Sequence, residues 1–188
     1  TLSSSSAASD VYKRQELGGH NPVIVCDDAD IGAAAAAVAG FKIRNAGQVC
    51  ISPTRVLVQK GIYDRFAAVL AEHIEKVRVG SGLKPGTSMG PLVSERRLKA
   101  VTGLIKEALQ EGAQILATGA TPQTGFFHAP TILTGVSLSS RIQNDEPFGP
   151  VAILSPFDAI DDAIAEANRL PYGLAAYAFT CLLYTSPS

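Results

Sequence analysis

Three short stretches of this chain carry residue types that can do chemistry. Cys50 stands in FKIRNAGQVCISPTR (41–55), between an Ala-rich apolar run and a β-branched one. Helical spacing that stops at Asn45-Ala46-Gly47, and an extended run over 55–59, put this thiol on a loop between two rigid elements. That is where a reactive group is best held. A thiolate there can attack a carbonyl carbon, and loss of hydride from the adduct leaves a thioester. Backbone N–H groups around Val49 and Cys50 can stabilise the oxyanion. Taken alone, Cys50 fits a buried inert thiol better, the commoner fate of a free cysteine. The second stretch is DEPFGP (145–150). A carboxylate such as Glu146 accepts two hydroxyl hydrogen bonds from a ribose, and a ring such as Phe148 packs on a flat heterocycle. Pro147 and Pro150 equally suit a rigid turn before a strand. The third stretch is ELGGHNP (16–22). Glu16, partly withdrawn from solvent, can act as a base toward water, or it is a solvated residue ahead of a Gly-Gly turn.

In order and spacing, ELGGHNP, NAGQVC and EPFGPV together resemble the glutamate, cysteine and coenzyme-ribose motifs of the aldehyde dehydrogenase superfamily, over residues 16–180. The resemblance implies oxidation of an aldehyde to a carboxylic acid with NAD or NADP, Cys50 being the nucleophile. It implies that Glu16 activates the water that hydrolyses the thioester, which favours hydrolysis over transfer to coenzyme A. It further implies that Leu17 and Gly18 pass beside the nicotinamide, where a glycine lets the backbone approach, and that Glu146 and Phe148 hold the coenzyme. The fold implied is an α/β catalytic domain, a mostly parallel sheet flanked by helices, cut from a longer cytoplasmic and homo-oligomeric enzyme. The dinucleotide-binding half, an oxyanion asparagine and a C-terminal segment of the family have no counterpart in this chain, so the 188 residues alone are expected not to oxidise aldehydes.

Arg44 precedes Cys50 by six residues (50 − 44). It resembles the arginine that succinate-semialdehyde dehydrogenases of the family set against the substrate's far carboxylate, which implies an ω-carboxyl semialdehyde. An arginine near a helix C-terminus also meets the last carbonyls and the helix dipole. The second cysteine those enzymes often carry is here Ser52, so a disulfide switch at this loop is not expected.

The elements that must position these residues follow from periodicity. Residues 22–26 read as a strand with Cys26 as a buried structural thiol, and Asp27, Asp28 and Asp30 as cap candidates. Residues 31–45 read as an alanine helix. Residues 63–79 carry Phe66, Val69, Leu70, Ile74 and Val77 at helical spacing. Ser94 caps a helix running to Gln110, ended by Gly112. Strands follow at 113–118, 130–133 and 151–155, then a helix at 158–169 with Ile160, Ala163, Ile164 and Ala167 inward, and a last strand at 174–180. The alternation predicts a mostly parallel sheet.

Composition sets the outer limits. Hydrophobic residues make up 46% and charged residues 18%, the net charge is −1, and there are 3 cysteines. These numbers point to a globular domain with no polyanion partner such as nucleic acid. No apolar run approaches the ~20 residues that span a bilayer. An odd number of cysteines with no zinc spacing favours free thiols in a reducing compartment and no metal. Residues 1–15 and 181–188 read as foreign to the fold. Two alternatives remain open: a cysteine acyl hydrolase, for which His20, His73 and His128 form no recognisable dyad, and a non-catalytic homologue of the same fold.

Overall fold

The computed structural model describes residues 16–181. The expected foreign head, and the expected tail apart from Cys181, lie outside the described residues. Among the described residues one sheet contains β1 (Asn21–Val25), β2 (Pro53–Gln59), β3 (Gln114–Thr118), β4 (Thr131–Thr134), β5 (Val151–Phe157) and β6 (Tyr177–Phe179). Their order is β3-β4-β5-β2-β1-β6. All neighbours pair parallel except β3 with β4, so the expected mostly parallel sheet is observed. It is covered by α1 (Ile31–Ile43), α2 (Tyr63–Glu75), α3 (Glu95–Gln110), the single turn α4 (Arg141–Asn144) and α5 (Ile160–Ala167).

Both faces of the sheet are packed, which is why its central strands read as continuous apolar runs. Side chains alternate between the faces. Val23, Val56, Val58 and Leu154 meet Val38 of α1 and Phe66 and Leu70 of α2. Leu133, Val151 and Ile153 meet Val101 and Leu104 of α3 and Ile142 of α4. Burying each large side chain contributes roughly 1.5–3 kcal/mol. The alanines of α1 serve packing as much as propensity: Ala34, Ala35 and Ala39 are buried and let the helix lie close. Asp30 caps α1 by accepting the Ala33 N–H at 3.0 Å. Ser94 caps α3 through the Arg97 N–H at 3.2 Å, and Gly112 ends it at φ 102°.

Several expectations are corrected. The α1 helix stops at Ile43 rather than Asn45, and α2 at Glu75 rather than Val79; Val79 instead bridges to Met89. The last strand shortens to Tyr177–Phe179. Cys26, expected as the buried last residue of the strand, is half-buried just past its end. Of the four residues expected inward on α5 only Ala163 is buried; Ile160 and Ile164 are 45% and 47% exposed. The reason is that a cation, not an apolar stripe, docks this helix. Arg55 of β2 donates to the Glu166 carbonyl at 2.7 Å and the Ala167 carbonyl at 3.0 Å. Among the described residues Ala163 packs in a small cluster with Leu57, Phe157 and Ile24.

The strand order does one thing for function. Residues 16–20, 45–52 and 145–150 run directly into the amino ends of β1, β2 and β5. Those strands lie side by side and parallel in the order β5-β2-β1. Three segments remote in sequence therefore meet at one edge. Open α/β sheets usually bind ligands at the carboxyl ends of their strands; here the gathered residues are at the amino ends.

Candidate active site

The segment that carries Cys50 is a left-handed turn. Beyond Ile43, Asn45, Ala46 and Gly47 take φ of 49°, 52° and 70°. Asparagine and glycine tolerate this region, whereas an alanine there costs roughly 1–2 kcal/mol. Three hydrogen bonds offset that strain. Asn45 Nδ2 donates to the Gln48 carbonyl at 3.0 Å, Gln48 Nε2 returns the bond to the Asn45 carbonyl at 3.0 Å, and Gln48 Oε1 accepts the Val93 N–H at 2.9 Å. At Gly47 a Cβ would lie 2.1 Å from the Gly149 carbonyl oxygen, so only glycine lets this turn seat on the 145–150 segment.

Cys50 is a half-buried free thiol whose main chain is held from two further directions. Asn21 Nδ2 donates to the carbonyls of Cys50 at 2.8 Å and Ser52 at 2.9 Å. Tyr177 donates its hydroxyl to the Ile51 carbonyl at 2.8 Å. Burial, and then charge on Cys50, push the Tyr177 phenol up.

Glu146 sits beneath the 16–20 segment. The Gly19 N–H donates to its Oε1 at 3.2 Å, and a Cβ on Gly18 would lie 2.5 Å from its Oε2. Burial raises this carboxyl, against the opposing pull of the Gly19 N–H, Arg97 and Lys42. Phe148 has φ 44°. The Arg97 guanidinium lies 5.6 Å from its ring centroid, in cation–π range. His20 donates through Nε2 to the Ile142 carbonyl at 3.0 Å, tying the start of β1 to α4. Burial pushes that imidazole down to about 4, so it is neutral at physiological pH.

Cys50, Glu146, Phe148 and Arg97 border one open cleft of about 650 Å³. Glu16, Leu17, Gly18, Cys50, Glu146 and Phe148, six of the seven site residues expected from sequence, line it together with Asn45, Gln48, Val49 and Arg97. The seventh, Arg44, is elsewhere. It is exposed and borders a separate shallow depression with Ala36, Ala37, Gly40 and Phe41. Sequence reasoning missed Arg97, which lies one turn into α3 behind a recognised cap, and Asn21 and Gln48, which had registered only as motif letters. It also missed Lys42, fully buried in the last turn of α1. No histidine lines the cleft, and His128, like His20, is bonded to a backbone carbonyl. The imidazole that an acyl hydrolase needs is therefore not at this thiol.

Fold and site together define an α/β domain with a free thiol and two carboxylates in one cleft. The chain belongs to the aldehyde dehydrogenase family: the profile described as "Aldehyde dehydrogenase family" matches residues 4–184. It is 48% identical over 165 residues to a putative 4-(hydroxymethyl)benzenesulfonate dehydrogenase of Comamonas testosteroni, covering 88% of this chain and 34% of that protein. It is 44% identical over 163 residues to a probable NADP(+) succinate-semialdehyde dehydrogenase of Sinorhizobium fredii, covering 86% and 33%. It superposes on the betaine aldehyde dehydrogenase of Staphylococcus aureus, solved with NAD+, at a TM-score of 0.83 and 37% identity, covering 88% of this chain and 34% of that one. The chain thus spans about a third of the length of these relatives.

Proposed function

We propose that the protein containing this chain oxidises an aldehyde to a carboxylic acid through Cys50, with NAD or NADP as coenzyme. The observation that carries the reading is the single cleft that joins Cys50 to Glu16, Glu146 and Phe148. The residues present fit a nicotinamide coenzyme. Gly18 and Gly19 bring bare backbone over a carboxylate able to accept ribose hydroxyls, with an aromatic ring alongside. When bound, the coenzyme supplies the hydride acceptor. Leu17 and Gly18 would border the nicotinamide, while Glu146 and Phe148 would hold the ribose side. Relatives named for NADP(+) and solved with NAD+ support both coenzyme forms.

The steps carried by the chain's own residues are these. The Cys50 thiolate forms a C–S bond to the aldehyde carbon, turning the carbonyl oxygen into an alkoxide. Collapse of the alkoxide with departure of hydride leaves a thioester on Cys50. Glu16 takes a proton from water, the water oxygen adds to the thioester carbon, and the C–S bond breaks to return the thiolate and release the acid. Acid-quenching the full-length protein with aldehyde and coenzyme should leave an acyl group on the Cys50 peptide, read by mass spectrometry. A peptide that is never acylated would sink the proposal.

The substrate proposed is an ω-carboxyl aldehyde anchored by Arg44. A guanidinium binds a carboxylate bidentately and with charge assistance. The names of the Comamonas and Sinorhizobium relatives both specify an anionic group remote from the reacting carbon. Arg44 borders a depression separate from the cleft that holds Cys50, so the proposal requires one substrate to reach both, its carbonyl at Cys50 and its far carboxylate at Arg44. In the full-length protein Arg44→Leu is expected to lower kcat/KM for succinate semialdehyde by about 1.5–3 kcal/mol, the worth of a charged hydrogen bond. An uncharged aldehyde of similar length should be unaffected. Equal losses on both would assign Arg44 to the end of α1.

A further inference from the structure

The short turn that carries Cys50 is tied down through its carbonyls, by donors from two neighbouring strands. The Ser52 N–H closes the turn on the Val49 carbonyl at 2.8 Å. Asn21, 2% exposed at the start of β1, donates through Nδ2 to the carbonyls of Cys50 and Ser52 at 2.8 and 2.9 Å. Tyr177, at the start of β6, donates its hydroxyl to the intervening Ile51 carbonyl at 2.8 Å. Its ring rests against Phe41, with 5.7 Å between centroids. β1 and β6 pair parallel, with Val23 opposite Tyr177, so both donors stand on one rigid sheet. Every carbonyl from 49 to 52 is thereby engaged, and none of these bonds touches the sulfur. The Asn21 amide is used on one side only: Nδ2 makes both bonds, while the buried Oδ1 meets no donor among the described residues. A buried oxygen left in that state is costly, so the side chain is suited to its place as a double donor. A Cβ on Gly19 would lie 2.7 Å from both Asn21 Oδ1 and the Cys50 carbonyl oxygen, so the segment that bears Glu16 lies directly against this clamp.

We infer that Asn21 and Tyr177 are positioning residues, which aim the Cys50 sulfur at the aldehyde carbon by holding the main chain of residues 50–52. The inference rests on the nucleophilic role of Cys50 proposed above. Its physical basis is the planarity of the peptide group. The planes on either side of the Cys50 Cα are pinned, one through the Val49 carbonyl and the other through the Cys50 carbonyl. With both planes fixed, the direction of the Cα–Cβ bond is fixed, and only rotation about that bond remains to the sulfur. Tyr177 extends the hold to the next plane. Attack requires the sulfur about 3–3.5 Å from the carbonyl carbon and in line with it, and a misplacement of ~1 Å can cost ~10²-fold in rate.

The test uses the full-length protein as wild type, Asn21→Leu and Tyr177→Phe. Leucine keeps the shape of Asn21 without its donors. Phenylalanine keeps the ring of Tyr177 and loses only the hydroxyl, so it decides the matter should leucine perturb folding. Stopped-flow absorbance of the reduced coenzyme at saturating aldehyde follows the first turnover. Calorimetry follows the Kd of NAD and NADP, and alkylation by iodoacetamide from pH 6 to 10 follows the thiol without substrate. In both variants the first turnover should slow by about 10–10²-fold. Coenzyme Kd should stay level, and so should the rate and pH dependence of alkylation, because a small mobile reagent meets the sulfur in many orientations. First turnover at the wild-type rate in a folded variant overturns the inference. Alkylation slowed as much as turnover also overturns it, by placing the effect on the thiol itself, and an equal loss of coenzyme affinity does so by making the residues general supports of the cleft. A wild-type protein that shows no first turnover overturns the nucleophilic role of Cys50, and the inference with it.

Discussion

Replacing Cys50 by alanine should abolish aldehyde oxidation in the full-length protein, on the order of 10⁴-fold or more, because every later step needs the C–S bond. It should do so without unfolding the domain. Asn21 grips the carbonyl of Cys50, not its sulfur, and the left-handed turn is set by Asn45, Gly47 and Gln48. Alanine leaves all of that in place, so thermal stability and coenzyme binding should stay near wild type. Cys26→Ala is the internal control. That thiol is half-buried beyond the end of β1, and its removal should cost activity little and stability ~1 kcal/mol or less for the small cavity left. Comparing rates and melting curves of the two variants decides the point: equal loss of activity in both would mean that the nucleophile has been misassigned.

The second large effect is kinetic. Glu16→Gln keeps the size and polarity of the side chain at the rim of the cleft but removes the base. Attack and hydride loss do not require that base, so the first turnover should proceed. Deacylation should slow by ~10²–10⁴, the usual contribution of a positioned general base. Stopped-flow absorbance of the reduced coenzyme should then show a burst close to one equivalent per active site, followed by slow turnover. Loss of the burst itself would place Glu16 before the thioester, or make it a structural support of the 16–20 segment.

The sequence by itself determined the parts. The alternation of apolar runs required strands and helices in turn. The caps at Asp30 and Ser94 were legible because a capping oxygen needs only its own neighbours. Glu16, Cys50 and Glu146 were singled out by the resemblance of their three short motifs to those of the family, a signal carried by residues a few positions apart. What the tertiary structure decided is everything that depends on strand order. That β5, β2 and β1 are adjacent and parallel, and so bring three remote segments into one cleft, is a property of long-range pairing that no local signal encodes. The same holds for Gly47, whose necessity appears only when the Gly149 carbonyl is seen where a Cβ would be. It holds for Arg55, a cation in an apolar run that docks α5 by its carbonyls in place of the expected inward isoleucines. It holds most of all for Lys42: in a helix of small residues a lysine reads as solvated, and only the packing of α1 against β2 shows its amine sealed in, because burial is fixed by what lies across the interface and not by the residue itself.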